Sequence, residues 1–166
     1  TFQGATSGSI SSSALSASAW VAGHAVDDIG ICIIGTTDGT SGTHSTPSGF
    51  TLAPANPSGW STAVSTTAVD LEVAYKRATS TAEANAMFGT DLGTQYGKHL
   101  LIRGVKTSGS PFNVDASGVI GTASTSISVV TGLTTTVADS LIVLVLVLDA
   151  DTGAPDTAFI TAQSNG

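Results

Sequence analysis

The chain has 166 residues, and only 10% of them are Asp, Glu, Lys or Arg, against roughly 25% in ordinary soluble proteins. Twelve acids face five bases, a net charge of −7, and the bases (Lys76, Arg77, Lys98, Arg103, Lys106) form no tract. Such a balance repels phosphate backbones and argues against nucleic acid as a partner; the single cysteine excludes a disulfide framework within the chain. The length suits one domain with its own core.

Thr1–Ala19 is low in complexity, dominated by Ser, Ala, Thr and Gly, with Phe2, Ile10 and Leu15 as isolated apolar residues. It reads as an extended N-terminal arm or a first edge strand, because serine clusters oppose a helix. Its opening residues carry neither basic side chains nor an apolar run, so no signal peptide is expected. The folded domain is expected over 20–166, beginning at Trp20 and Val21.

Ile29–Ile34 predicts a strand with Ile29, Ile31 and Ile33 on one face and Gly30, Cys32 and Ile34 on the other. Cys32, between two isoleucines, is expected as a small buried hydrophobe. Gly35–Gly49 is turn-rich, Phe50–Leu52 is a short strand, and Pro54–Gly59 leads to Trp60. Val69–Lys76 alternates most cleanly, which predicts an antiparallel strand with one solvated face carrying Asp70, Glu72, Ala74 and Lys76. Ser80-Thr81-Ala82-Glu83 matches a capping box and predicts one short helix near 80–88.

Leu100–Ile102 is apolar throughout and reads as a central strand opened by His99. Pro111–Asp115 is a turn, and Ile127 and Val129 alternate with Ser126 and Ser128 in a further strand. Leu141–Leu148 is an unbroken apolar octet, far short of the roughly 20 residues that cross a bilayer as a helix. Its β-branched content predicts a strand apolar on both faces, one lining a core and the other meeting a second layer or another subunit. Phe159–Thr161 begins a last strand. The pattern is all-β: an antiparallel β-sandwich, jelly-roll or immunoglobulin-like.

Chemistry-bearing motifs are sparse. Asp151-Thr152-Gly153 has the tripeptide of aspartic proteases, but too little chain follows it in 154–166 to cradle a dyad, and a polar loop is the simpler reading. Asp149, Asp151 and Asp156 lack the spacing of a calcium loop, and the pair Asp27-Asp28 reads as turn chemistry. His24, His44 and His99 are scattered without a metal-binding spacing. No catalytic, cofactor or metal residue is assigned, and no enzyme is expected. Trp20 and Trp60 are the only large candidates for stacking a sugar, with core packing the favoured role for both.

Six segments, in order, resemble β-rich proteins of tailed-phage structural modules: His24–Ile29, Thr46–Leu52, Val73–Thr79, Leu101–Val105, Gly109–Val114 and Thr134–Val143. The resemblance spans most of Ala19–Leu148 and implies a virion accessory or appendage domain, such as a capsid decoration protein, head fibre or tail-associated module. It carries no catalytic residues. What it implies is a non-enzymatic virion protein that forms a homo-oligomer and attaches to capsid or tail subunits, located in the virion or outside the cell. Related chains run past the position of Gly166, so a neighbouring subunit is expected to supply a closing strand. Two alternatives are an extracellular filament subunit that assembles by strand exchange, and a receptor module for a host surface glycan. No nucleic acid and no membrane is expected as partner.

Overall fold

The computed structural model describes residues 1–7, 19–37, 46–52, 69–86, 94–112, 141–148 and 156–163. The strand expected around Ile127 and Val129, together with Trp60, His44, Asp149 and Asp151, lies outside the described residues. Seven strands are described: β1 (Phe2–Ser7), β2 (Ile29–Thr37), β3 (Thr51–Leu52), β4 (Val69–Arg77), β5 (Thr94–Ile102), β6 (Leu141–Leu148) and β7 (Asp156–Gln163). They form a five-stranded sheet ordered β1-β5-β2-β4-β3 and a separate β6–β7 pair, with every pairing antiparallel. The architecture is all-strand among the described residues. Among the described residues no helix is long and apolar enough to cross a membrane.

β2 lies at the centre because both of its faces are apolar, so it needs cover above and below. Its register sets Ile29, Ile31 and Ile33 beside Ile102, Leu100 and Lys98 of β5, and beside Arg77, Tyr75 and Val73 of β4. On that face Ile29, Ile31, Ile33, Leu100 and Ile102 form one buried cluster, with Leu141 and Val143 of β6 packed against it. The start of the octet therefore covers the five-stranded sheet, as a strand rich in β-branched residues can when a second layer receives it.

The opposite face carries Gly30, Cys32, Ala74, His99 and Leu101. Two buried clusters form there: Cys32 with Ala86, and Trp20 with Ala78 and Leu101, and Phe50 packs against both. The expected solvated face of β4 is corrected at Ala74, which is fully buried. Alanine is small enough for a covering segment to approach the strand, and alternation alone does not reveal such a segment. His99 likewise does not open its strand; it sits within β5, fully buried.

No helix forms over residues 80–86, contrary to expectation; residues 87 and 88 lie outside the described residues. The capping box forms only in part. The Ser80 N–H donates to Glu83 Oε1 (3.0 Å), and the Ala82 N–H donates to Ser80 Oγ (3.1 Å). The Glu83 N–H, which would close the box on Ser80 Oγ, instead donates to His24 Nε2 (3.3 Å), and the Ala84 carbonyl, which a continuing helix would use, accepts from Trp20 Nε1 (3.1 Å). A capping box starts a helix only when the following N–H and C=O groups remain available for one another.

Candidate functional site

Four of the segments that carry the resemblance meet around the sheet: 24–29 leads into β2, 46–52 ends in β3, 73–79 continues β4, and 101–105 continues β5. Their polar groups bind one another. Asp28 stands just before β2 with its side chain 4% exposed, and Arg103 grips it as a fork. Arg103 Nε donates to Asp28 Oδ1 at 2.9 Å and Nη2 donates to Oδ2 at 2.6 Å, while Nη2 also reaches the Gly23 carbonyl at 2.9 Å. The Ala25 N–H adds a bond to Asp28 Oδ2 (2.8 Å) and closes the turn. The guanidinium holds the Asp28 carboxyl below its usual range, outweighing the opposite push of burial. Bidentate geometry of this kind is the strong form of a charge-assisted bond.

The same turn is tied to the end of β4. The Asp27 N–H donates to the Ala78 carbonyl (2.9 Å), and the Ala78 N–H returns to the Asp28 carbonyl (2.8 Å). Asp27 adopts a left-handed backbone, φ 71°, which aspartate tolerates better than most residues. Arg77 spans two loops by donating to the Asp27 carbonyl (3.2 Å) and the Lys106 carbonyl (2.7 Å).

Above β2, Trp20 lies over Gly30. A Cβ on residue 30 would stand 2.7 Å from Trp20 Cη2 and closer still to His99 Nε2, so only glycine lets the indole lie against the strand. Trp20 packs tilted against His24 (ring centroids 4.9 Å apart) and edge-on to His99 (4.7 Å), with Phe50 at 6.3 Å. His24 is oriented by its two nitrogens. Because Nε2 accepts the Glu83 N–H, the network assigns the proton to Nδ1, which donates to the Val21 carbonyl (3.2 Å).

Glu83 is the hub of the covering segment. Its carboxylate pairs with Lys76 Nζ at 2.5 Å and accepts from the Thr79 N–H (2.5 Å) and the Thr79 hydroxyl (2.9 Å). These contacts, Lys76 foremost, pull its pKa from 4.5 down to about 2. A carboxyl whose folded pKa is depressed stabilises the fold above its unfolded value, and that stabilisation is lost as pH falls through the folded one. Glu83→Gln is therefore expected to cost about 1–3 kcal/mol above pH 5 and progressively less as pH approaches 2. Denaturant unfolding of both proteins across that range measures it; a difference independent of pH would contradict the assignment.

These groups bond to one another and to the backbone. Among the described residues no three His, Cys, Asp or Glu side chains gather to hold a metal ion. Cys32 is buried and burial pushes its thiol pKa up, which keeps it protonated and unreactive. Trp20 is only 7% exposed, in line with core packing, so a sugar-stacking role would fall to Trp60 alone. Asp156, considered above for calcium, is the first residue of β7 opposite Leu148. Among the described residues the exposed large hydrophobic side chains are Val26 at 55% and Leu52 at 41%, and β1 and β3 are the outermost described strands of the sheet. The sequence pointed to the capping box and the Asp27-Asp28 turn, but nothing in it marks Gly30 as a slot or Arg103 as the partner of Asp28, since those pairings are remote in sequence. No family model, no curated protein and no solved structure matches this chain.

Proposed function

We propose that this chain is a non-enzymatic structural protein of a phage virion, a capsid-decoration or fibre component that works by self-association and attachment to other virion proteins. In this reading the five-stranded sheet and the β6–β7 pair are the two layers of a β-sandwich. The observation that carries it is how the resembling segments use their polar side chains. His24, Asp28, Lys76, Arg77 and Arg103 bind one another, Glu83 or nearby backbone groups. A fold that commits its scarce charges to fastening loops over a sheet is suited to being a rigid building block. The packing of Leu141 and Val143 on the sheet supports the two-layer arrangement.

Native mass measurement of the full chain, with electron microscopy of the same sample, tests the reading. A discrete homo-oligomer is expected. A chain that stays monomeric at its highest attainable concentration would overturn it, and long helical fibres formed by the chain alone would favour the filament subunit instead.

A further inference from the structure

The 79–86 segment is fastened over the side of the sheet that carries Cys32 and Ala74, and one of its fastenings has a titratable acceptor. The Glu83 N–H donates to His24 Nε2 (3.3 Å), so that nitrogen carries no proton while the bond stands. His24 is oriented for this contact: Nδ1 lies 3.2 Å from the Val21 carbonyl, and the ring packs against Trp20 at 4.9 Å. The side chain is half-buried, which leaves it within reach of protons from solvent. Histidine is also the side chain that ordinarily changes charge between about pH 8 and 5.

We propose that His24 is an acid-sensitive latch: a proton on Nε2 sets one donor against another and releases the 83–86 end of the covering segment from the sheet. Only the released arrangement accepts that proton without losing the bond, so lowering the pH shifts the population toward it. The charged groups around His24 do not reverse the sign, because they stand in matched pairs. Asp28, on the same turn, is clasped by Arg103, which also reaches the Gly23 carbonyl (2.9 Å). Glu83, on the covering segment, is clasped by Lys76 of β4 (2.5 Å). Asp27 also lies on the turn, His99 of β5 touches the same indole at 4.7 Å, and Phe50 brings no charge. Among the described contacts, the 83–86 end then keeps the Trp20 bond to the Ala84 carbonyl and the packing of Ala86 with Cys32. The inference concerns a single chain and does not rest on its assembly.

Amide exchange and nuclear magnetic resonance on the full chain test this. From about pH 7.5 to 5, protection of the Glu83 amide, corrected for the intrinsic pH dependence of exchange, should fall at least about tenfold while β2 amides keep theirs. The Glu83 carboxyl, with its pKa at about 2, stays ionised throughout and adds nothing to the change. His24→Gln retains an acceptor, its amide oxygen, without a titrating proton, and should hold Glu83 protection constant over the same range. A second measurement needs no variant. In the wild type, ring-nitrogen shifts should show His24 protonated on Nδ1 and bare on Nε2 at neutral pH, and the Glu83 amide resonance should titrate with the midpoint of the His24 ring. A proton on Nε2 at neutral pH, or a Glu83 amide indifferent to that midpoint, would overturn the inference. So would a transition that survives in His24→Gln, which would move the response to His44 or His99. Loss of β2 protection in step with Glu83 would replace local release with general unfolding and equally count against it.

Discussion

Replacing Arg103 with alanine is expected to destabilise the fold by about 2–4 kcal/mol, which for a chain of this size lowers the melting temperature by roughly 5–15 °C. The cost comes from Asp28 more than from Arg103. The Asp28 carboxylate has only 4% of its side chain exposed, and without the guanidinium it keeps only the Ala25 N–H among the bonds described here. Arg103 is itself 42% exposed, which places the effect at the lower end of what breaking a buried pair costs. The pH dependence identifies the cause. With its partner present, the Asp28 pKa lies below the usual value, so the pair stabilises the fold above about pH 4 and is lost as acid protonates the carboxyl. Wild type and Arg103→Ala should therefore differ most near neutrality and converge in acid. Asp28→Asn in the Arg103→Ala background should recover part of the loss, because the amide does not bring a charge into the buried site. Equal destabilisation at all pH values would show that Arg103 contributes through packing alone.

Trp20→Ala should cost about 3–5 kcal/mol, in the range of a large aromatic removed from a packed interior. The indole fills the slot above Gly30, touches His24, His99 and Phe50, and donates to the Ala84 carbonyl. Its removal leaves a void that glycine at position 30 does nothing to fill. It also detaches one of the bonds that hold the 79–86 segment over the sheet. Trp20→Phe should cost less than Trp20→Ala, since a ring remains in the slot while the bond to Ala84 is lost. Hydrogen exchange gives the finer test: amides near Ala84 and Glu83 should exchange faster in both variants, whereas β2 amides should be affected mainly in Trp20→Ala. Unchanged exchange in the covering segment would mean that the indole does not anchor it.

Both predictions concern the same design, in which loops are fastened to one sheet face by a few specific contacts. The opposite face is held mainly by aliphatic packing, with Ile29, Ile31, Ile33, Leu100 and Ile102 against Leu141 and Val143, and with Tyr75 beside them edge-on to Phe112. Non-directional packing tolerates conservative replacement, so an Ile33→Val change should be felt far less than either substitution above, at about 0.5–1.5 kcal/mol.

How far the sequence speaks for itself follows from the range over which each signal acts. The strands at Ile29–Thr37, Val69–Arg77 and Leu141–Leu148 were legible because period-two alternation and β-branched runs are local properties of the chain. The strand class and the burial of Cys32 were legible for the same reason, and the burial of Trp20 from composition, because few other large side chains can fill a core. Three matters were decided only in three dimensions. Residues 80–86 carry a helix-start signal, yet they fold as an irregular cover in which His24 and Trp20, far away in sequence, take the Glu83 N–H that would close the capping box and the Ala84 carbonyl that would continue a helix. Ala74 looked solvent-facing from its neighbours, but the loops laid across that face bury it. Asp28 and Arg103, 75 residues apart, become a single clasp only when β2 and β5 lie side by side. Local backbone preference is written residue by residue and can be read from the chain; the partner of a buried charge, or of an unpaired backbone amide, is set by which strands become neighbours.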